Sequence, residues 1–319
     1  MTLKFMCLFS ILILLTSCQN NSVPTEELES TLNSSTVESL LAGNNSMDDY
    51  CYDSENYISP TSDDPMAICN LFPDPFFALE IAGIFQKNVT DTVTFDELAG
   101  YTGALNCGPG ELENIKGIGY LTGLTSFSSS KNNLKELPSE IGQLTNLKSI
   151  DLLKSYNVEL IPPEIKNLKQ LEFFRADLTN LKEIPAEIGQ LTNLKTLKIS
   201  NIQIQSIPDT IGTLKNLEVL DVHSNNIDCV PESICNLIKL RSLDISYTKL
   251  KKLPENIGSL VKLERLDLFG CDLKTLPESI KKFKHLRYLN VYDNFELDET
   301  YKNWFSKSVY ECKDDPENE

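Results

Sequence analysis

The chain has 319 residues, of which 41% are hydrophobic, and its 46 acidic and 29 basic residues give a formal net charge of −17. The hydrophobic content is sufficient for a packed core and excludes a chain that is disordered throughout, while the negative charge predicts that nucleic acid is not a partner. Histidine-based catalysis and histidine-rich metal sites are disfavoured because only two histidines occur, His223 and His285, so we expect a binding protein without a cofactor rather than an enzyme.

An export signal is predicted at the N-terminus, over residues 1–17. Lys4 precedes an apolar run from Phe5 to Leu15, which is shorter than the roughly 20 residues that a membrane span needs. The sequence Leu15-Thr16-Ser17-Cys18 resembles the lipobox of bacterial lipoproteins. That resemblance implies cleavage before Cys18 and lipidation of its thiol and new amine, which would anchor the protein to the outer membrane of a bacterial cell envelope, in the periplasm or on the surface. The alternative is an ordinary secretory signal with a chance cysteine, and it also exports the protein.

Residues 18–71 are predicted to be an acidic, low-complexity tether. The segment is rich in Asn, Ser, Thr, Glu and Asp, and neither Lys nor Arg occurs between Lys4 and Lys87. Such a composition cannot bury enough apolar surface to offset the entropy lost on ordering. A disulfide between Cys51 and Cys69 is compatible with export, but the pairing of the cysteines after Cys18 cannot be read from the sequence. These are Cys51, Cys69, Cys107, Cys229, Cys235, Cys271 and Cys312.

A helical N-terminal cap is predicted over residues 72–103. Asp74-Pro75 has the pattern of a helix N-cap followed by proline at the first helical position. Apolar residues then recur on one helical face, at Phe77, Ile81, Ile84 and Phe85. A second helix start is indicated by Thr94 and Glu97, which have capping-box spacing.

Regular repeats occupy residues 104–298. Prolines recur first after 24 and then after every 23 residues, at positions 138, 162, 185, 208, 231, 254 and 277. Within one such unit the apolar sites are Leu191, Leu194, Leu197, Ile199, Ile204, Ile207 and Ile211, and the next units repeat them. The pattern resembles the leucine-rich repeat LxxLxxLxLxxNxLxxLPxxIGx. The resemblance implies an α/β solenoid, in which short parallel strands line a concave face and the units share one core.

The segment before the full repeats resembles the helical cap and first repeats of the internalin family of bacterial surface proteins. The resemblance rests on Val93-Thr94-x-x-x-Leu98, on a strand at Ala104 to Cys107, and on the Ile115 to Leu124 repeat. Downstream, the 23-residue spacing with LPxxIG departs from the internalin spacing and is similar to repeats of the Ras-suppressor type. The resemblance therefore implies a cap for the open end of the solenoid and no particular receptor.

Proline suits the returning segment because its fixed φ favours an extended or helix-opening backbone and its missing N–H removes a donor. One turn position of the repeat is usually Asn, whose side chain can bond to the backbone. Here it is occupied by Asn132, Ser155, Thr179, Ile202, Asn225, Thr248, Cys271 and Asn294. We expect Cys271 to be a buried structural thiol, and Cys229 and Cys235 to be either a pair or two packed free thiols.

A candidate binding surface is predicted on the concave face. One outward column contains acids in successive units, and aromatic residues gather nearby in the C-terminal half. The candidate binding residues are Phe173, Asp221, His223, Asp244, Tyr247, Asp267, Phe269, Tyr288 and Tyr292. Exposed aromatic side chains beside acids are typical of a protein or peptide interaction face that favours a basic partner. The alternative is a structural scaffold of the envelope without a discrete ligand site.

Two chemical alternatives use the same columns. Ser246, His223 and Asp221 could lie side by side like a hydrolase triad, although no nucleophile elbow or oxyanion hole is recognisable. The row of Asp221, Asp244 and Asp267 could bind Ca²⁺, although strand spacing does not close a coordination shell. We therefore expect no catalytic or metal site.

A C-terminal cap helix and a tail are predicted over residues 299–319. Asp298 has the pattern of an N-cap. Apolar residues after it share one helical face, at Tyr301, Trp304, Phe305 and Val309. This helix would close the final repeat.

Overall fold

A computed structural model of the protein describes residues 64 to 305 and residue 309. The predicted signal peptide, the lipobox with Cys18, and the cysteines Cys51 and Cys312 lie outside the described residues. The export, lipidation and disulfide hypotheses that involve them therefore remain predictions. No helix within residues 64 to 305 combines the length and the hydrophobicity that crossing a membrane requires.

Short elements precede the repeats. They are strand β1 (Met66–Ala67), helices α1 (Ile68–Leu71) and α2 (Pro75–Phe85), strand β2 (Thr92–Val93) and helix α3 (Phe95–Gly100). β1 and β2 pair antiparallel. Ile68 and Leu71 are fully buried, so ordered structure begins before the predicted end of the tether at residue 71. The reason is that Met66, Ile68 and Leu71 supply apolar surface that packs with the core.

Asp74 caps α2 and also ties it to the first repeats. Its Oδ1 accepts hydrogen bonds from the backbone N–H groups of Phe76 and Phe77, both at 3.0 Å. Its Oδ2 accepts two more, from Glu113 at 2.9 Å and Asn114 at 3.0 Å. The predicted N-cap is confirmed, and the carboxylate, only 3% exposed, is satisfied by four backbone donors.

The predicted capping box at the second helix is also confirmed. Thr94 accepts from the backbone of Glu97, and the Glu97 carboxylate accepts from the Thr94 backbone at 2.7 Å. On α2, Phe77 and Ile81 are buried as predicted, whereas Ile84 and Phe85 are only partly buried. The side chains of this segment belong to the same hydrophobic cluster as the first repeats.

Nine short strands within the described residues form one parallel sheet in chain order. They are β3 (Ala104–Asn106), β4 (Ser126–Ser128), β5 (Ser149–Asp151), β6 (Phe173–Arg175), β7 (Thr196–Lys198), β8 (Val219–Asp221), β9 (Ser242–Asp244), β10 (Arg265–Asp267) and β11 (Tyr288–Asn290). The middle residue of each strand is buried, and the two outer positions point to the other face of the sheet. The predicted solenoid with parallel strands is confirmed.

The chain returns from each strand through an extended segment and a 3₁₀ turn. The 3₁₀ segments are Ile118–Tyr120, Ser139–Gln143, Pro163–Asn167, Ala186–Gln190, Asp209–Thr213, Glu232–Asn236, Ile257–Ser259, Glu278–Lys282 and Glu299–Asn303. Pro208 is typical of the repeat prolines: it lies just before its 3₁₀ turn with φ −68° and ψ 147°, and its carbonyl accepts from the Ile211 N–H. Proline thus supplies an extended residue that opens the turn, as expected.

The glycine of the recurring Ile-Gly pair allows neighbouring turns to approach closely. A Cβ atom added at Gly212 would lie 2.4 Å from the carbonyl oxygen of Ser233 in the next unit. A side chain at this position would therefore push the two turns apart.

A row of left-handed residues follows the sheet. One residue per unit has a positive φ, namely Lys131, Lys154, Leu178, Asn201, Ser224, Tyr247, Gly270 and Asp293. Most of these residues are not glycine, although this conformation favours glycine. The N–H of each residue from Lys131 to Gly270 donates to a carbonyl of the next unit, which holds the turn in place.

The turn position that is usually Asn in this repeat, which we term the Asn ladder, is still largely hydrogen bonded although only three of its eight residues are Asn. Asn225 donates to the carbonyls of Ile199 and Val222, both at 2.8 Å, and Asn294 makes the equivalent two bonds, whereas Asn132 donates to two carbonyls of the preceding unit, those of Cys107 and Gly108. The hydroxyls of Ser155, Thr179 and Thr248 each donate to one carbonyl. Ile202 contributes only apolar packing, since it is 4% exposed.

The cysteines of the repeats are thiols. Cys271 is buried, and its Sγ lies 3.3 Å from the Ile245 carbonyl oxygen, as a structural thiol would. Cys229 and Cys235 do not pair with each other; the first is exposed and the second is buried. Of the two alternatives, the disulfide pair is therefore wrong, and the packed free thiol is confirmed only for Cys235.

The C-terminal cap is described only in its first part. Asp298 does act as an N-cap, accepting from the Thr300 N–H at 2.8 Å, and Tyr301 is buried. Within the described residues, the element that directly follows is a 3₁₀ turn, Glu299–Asn303, and Trp304 and Phe305 come after it; Val309 is helical. The apolar side chains pack against the last repeat from this short turn, and the tail beyond residue 309 lies outside the described residues.

Candidate binding surface on the sheet

The outward-facing strand positions form two columns on a surface that we term the open sheet face. Its second column consists of Asn106, Ser128, Asp151, Arg175, Lys198, Asp221, Asp244, Asp267 and Asn290, which are consecutive partners in the register of the sheet. Neighbouring members are therefore about one strand spacing apart, roughly 4.8 Å. This is the face that the repeat pattern predicts to be concave.

Two aspartates of this column have an arginine partner within the protein. Arg175 donates to both carboxylate oxygens of Asp151, at 2.9 and 2.5 Å. Arg265 Nη2 donates to Asp267 Oδ2 at 3.0 Å, and the Tyr288 hydroxyl donates to the same oxygen at 3.1 Å. These carboxylates are already neutralised by bonds that the chain itself supplies.

The predicted site residues Asp267 and Tyr288 are consequently part of an internal cluster. Asp267 is only 5% exposed, and the guanidinium carbon of Arg265 lies 3.9 Å from the centre of the Tyr288 ring. Burial, followed by the charge of Asp267, raises the pKa of Tyr288 to about 12. The sequence places both residues on the binding face, but it does not reveal that Arg265 donates a hydrogen bond to Asp267 and stacks on the Tyr288 ring.

Asp221, His223 and Asp244 form a second cluster, at the centre of the C-terminal half. His223 Nδ1 lies 2.7 Å from Asp221 Oδ1, and His223 Nε2 lies 2.9 Å from Asn201 Nδ2. Since the amide nitrogen of Asn201 can only donate, the neutral imidazole carries its proton on Nδ1. The hydrogen bond to Asp221 raises the pKa of His223, and the charges of Asp221, Asp244 and Asp177 act in the same direction against desolvation.

Asp244 is held by its own turn. Its Oδ1 accepts from the backbone N–H of Ser246 at 2.9 Å and from the Ser246 hydroxyl at 2.6 Å. Burial raises the pKa of Asp244, and the charges of Asp267 and Asp221 raise it further. Among residues 64 to 305, no lysine or arginine forms an ion pair with Asp221 or Asp244.

The geometry is unfavourable for the hydrolase alternative. The Ser246 hydroxyl donates to Asp244, and the two ring nitrogens of His223 face Asp221 and Asn201. Ser246 is therefore not hydrogen bonded to the imidazole of His223, as the nucleophile of a Ser-His-Asp triad must be.

The residues that could bind a metal ion differ from the predicted Ca²⁺ row. One ligand atom each from Asp221, His223 and Asp244 lies within 4.8 Å of the others, so these three could hold a metal ion. Asp267, the third residue of the predicted row, is instead bonded to Arg265 and Tyr288. A histidine in the set would suit a transition metal better than Ca²⁺, which prefers oxygen ligands.

An aromatic row adjoins the acidic residues. Tyr247 is 59% exposed and Tyr292 is 56% exposed. The ring of Tyr247 lies 4.9 Å from that of Phe269 at an interplanar angle of 50°. We define the aromatic row as Tyr247, Phe269 and Tyr292, which come from three successive units. Gly270 leaves space for Tyr247, since a Cβ there would meet the Tyr247 ring at 3.3 Å.

The last predicted site residue, Phe173, lies apart from the others, and two residues near the site were not predicted. Phe173 is partly exposed on β6, two strands from Asp221 on β8, and does not join the aromatic row. Sequence reasoning missed Phe295, which is 93% exposed beyond the last strand, and Asn201, which fixes the tautomer of His223. An unpatterned phenylalanine after the ladder residue Asn294 was the available signal for Phe295.

The family model for a leucine-rich repeat region matches residues 104–201, 185–240 and 228–306 of this chain. These matches cover more than half of the sequence and coincide with the nine-stranded sheet. The chain belongs to the leucine-rich-repeat family.

Several relatives share this leucine-rich-repeat architecture. Internalin J of Listeria monocytogenes is 39% identical over 66 residues, which are 21% of this chain and 7% of that protein. The structure of a leucine-rich-repeat protein from Leptospira interrogans is similar with a TM-score of 0.57 and 35% identity, over 60% of this chain and 49% of that one. The chain therefore spans less than half of the length of each.

A plant receptor shares the fold as well. The Arabidopsis receptor kinase HAESA, in a structure with the peptide hormone IDA and the co-receptor SERK1, is 33% identical with a TM-score of 0.51. The similarity covers 56% of this chain and 31% of that one. A protein of the same fold thus binds a peptide and a protein.

Proposed function

We propose that this chain is a non-enzymatic, exported lipoprotein that binds a protein or peptide through its open sheet face. The observation that carries the proposal is the aromatic row, in which Tyr247 and Tyr292 are more than half exposed, beside two carboxylates that have no lysine or arginine partner in the described part of the chain. Tyrosine is enriched among the residues that provide most of the binding energy in protein interfaces, and phenylalanine is enriched in interface composition. The peptide and co-receptor complex of HAESA supports this use of the fold.

Export and anchoring rest on the sequence. The apolar run from Phe5 to Leu15 and the lipobox-like Leu15-Thr16-Ser17-Cys18 favour a lipid anchor on Cys18 and an outer-membrane location. Metabolic labelling with a radioactive fatty acid tests this proposal. Label and membrane association should both be lost in Cys18→Ser and kept in Cys7→Ser, the matched cysteine within the apolar run. A Cys18→Ser protein that still carries the label would refute lipidation at that residue.

The binding proposal is tested with the full chain in mild detergent, as bait for envelope and host-surface extracts. A variant with Tyr247, Phe269 and Tyr292 replaced by serine should lose a partner that the native protein retains. Tyr156→Ser is the matched control, because Tyr156 is 58% exposed in a different unit. Circular dichroism establishes that both variants are folded.

The result also separates the two functional hypotheses. Loss of one partner in the triple variant and not in Tyr156→Ser would establish recognition by the aromatic row. Equal retention by both variants would refute the aromatic row as the site. If the native protein captures no specific partner, the structural scaffold becomes the better hypothesis.

A further inference from the structure

We infer that the open sheet face between β8 and β11 binds an extended peptide segment bearing an arginine, whose guanidinium sits on Asp221 and Asp244 while adjoining residues lie along the aromatic row. The inference rests on the proposed binding function and specifies the chemistry of the partner. Three features carry it: an internal precedent for arginine in the same column, two carboxylates that have no lysine or arginine partner among residues 64 to 305, and the adjacent aromatic rings.

The internal precedent comes from the other aspartates of the column. Asp151 receives two hydrogen bonds from Arg175, and Asp267 receives one from Arg265. A carboxylate at this position of the repeat can therefore be reached by a guanidinium that lies flat on the sheet. Asp221 and Asp244 occupy the same register positions between these pairs and have no such donor among residues 64 to 305.

The two carboxylates gain from an external cation. They are adjacent in the register, at about 4.8 Å, and like charges at that distance repel. Lys198 is the next residue in the column, but it forms no ion pair with Asp221 in the described structure. The partner of Asp221 is His223, whose Nδ1 contacts only the Oδ1 atom, at 2.7 Å. Arginine fits the pair better than lysine, because its planar donors can contact two carboxylates at once.

The aromatic row indicates what surrounds the arginine. Tyr247 and Phe269 are in ring contact, and Tyr292 belongs to the next unit. Three strand spacings separate β8 from β11, about 14 Å, which an extended peptide crosses with about four residues. Apolar or aromatic side chains of such a peptide would pack on the rings, and the −17 net charge of the chain would attract a basic segment.

The test is selection from a random linear-peptide library displayed on phage, with the full chain in mild detergent and EDTA present. We expect arginine to be enriched among peptides selected by the native protein. The enrichment should disappear with the Asp221→Asn/Asp244→Asn variant. It should persist with Glu136→Gln/Glu183→Gln, a control that removes the same charge from exposed side chains outside the sheet.

Affinity of a synthetic selected peptide gives the second measurement. Asp221→Asn/Asp244→Asn should weaken binding at least about tenfold, and replacing the arginine of the peptide by citrulline, which keeps the shape without the charge, should do the same. The two changes together should cost little more than either alone, since they remove the same contact.

Several outcomes would overturn the inference. Selected peptides without arginine enrichment, whose capture still depends on the aromatic row, would refute the arginine site while leaving the proposed binding function intact. Unchanged enrichment with Asp221→Asn/Asp244→Asn would place the cation elsewhere. Failure to select any peptide would refute a peptide ligand and leave the extract experiment to decide whether a folded protein binds. Enrichment that requires Zn²⁺ in place of EDTA would indicate a metal at Asp221, His223 and Asp244 instead.

Discussion

The guanidinium of Arg175 makes two hydrogen bonds to the carboxylate of Asp151, which lies directly opposite it on the neighbouring strand. The pair links two repeat units across the sheet. The bond to Asp151 raises the pKa of Arg175 further above its ordinary value, so the arginine stays charged. The pair is thus a fixed structural link, in contrast to Asp221 and Asp244, which have no arginine partner among residues 64 to 305.

A double-mutant cycle measures this link. Asp151→Asn, Arg175→Gln and the double variant should give a coupling free energy of about 0.5–1.5 kcal/mol, since the pair is bidentate but partly exposed to screening solvent. Urea unfolding followed by circular dichroism provides the values. The same cycle on the exposed pair Glu113 and Lys135 should give a smaller coupling, and equal couplings would show that burial and bidentate geometry contribute nothing.

Asp74→Ala should destabilise the protein by about 2–4 kcal/mol, because four backbone donors lose their acceptor. Asp298→Ala is the matched control, since this N-cap accepts one bond at an exposed position and should contribute about 1 kcal/mol or less. Urea unfolding again gives the comparison. Similar losses in the two variants would contradict the role of Asp74 as a tie between α2 and the first repeats.

Asn225→Ala should cost about 2–4 kcal/mol. Its amide donates to the buried carbonyls of Ile199 and Val222, and these acceptors would be left without the donor. Thr179→Val removes one bond at the equivalent ladder position and should cost about 1 kcal/mol. Thermal unfolding of both variants tests whether Asn225→Ala loses more stability than Thr179→Val. A ladder in which both substitutions cost the same would mean that packing, rather than hydrogen bonding, dominates there.

The pKa of His223 should fall in Asp221→Asn, because the hydrogen bond to Asp221 is the main cause that raises it. With a folded pKa above the unfolded value, protonated His223 stabilises the fold fully below the unfolded pKa, and this contribution is lost as the pH rises through the folded pKa. An NMR titration of the imidazole in the native protein and in Asp221→Asn measures the shift. Glu136→Gln controls for a change in net charge, and equal titration midpoints in all three proteins would refute the assignment.

Thiol labelling should distinguish the repeat cysteines. Cys229 is exposed, whereas Cys107 is 2% exposed and its pKa is raised by burial, so iodoacetamide should modify Cys229 in the folded protein and Cys107 only after unfolding. The side chain of Asp228 raises the pKa of Cys229, and Asp228→Asn should therefore speed its modification at neutral pH. Mass mapping of peptides identifies each site. Rapid modification of native Cys107 would contradict its place in the core.

Much of the fold could be predicted because the repeat period directly encodes burial. Leu197, Leu220 and Leu243 recur at one position of the unit, and the sheet brings them into one fully buried row. The same periodicity placed Asp221 and Asp244 side by side. An N-cap such as Asp74 could be predicted locally, but its bonds to Glu113 and Asn114 depend on a tertiary contact that no local pattern contains.

The parts that could not be predicted depend on side-chain conformations across strands. Asp267 has the same sequence position as Asp244, yet the arginine two residues before it folds back and removes it from the open sheet face. The C-terminal apolar spacing placed Tyr301 and Trp304 on one helical face, but Tyr301 is buried from a 3₁₀ turn, Glu299–Asn303, and Trp304 follows that turn. Periodicity reports which face a residue occupies and which residues adjoin it in the register, but not which of them its side chain bonds.

The two ends of the sheet are secured differently, and this has a mechanical consequence. At the β3 end, the Asp74 carboxylate joins positions 39 and 40 residues apart in the chain, whereas β11 is the outer strand of the sheet and, up to residue 305, is followed by one 3₁₀ turn, Glu299–Asn303. Each unit contacts mainly its neighbours, as in other solenoids. Under a pulling force the repeat units would therefore unfold one after another from the β11 end. The residues of the aromatic row would separate while the hydrogen bonds of Asp74 to Glu113 and Asn114 were still intact.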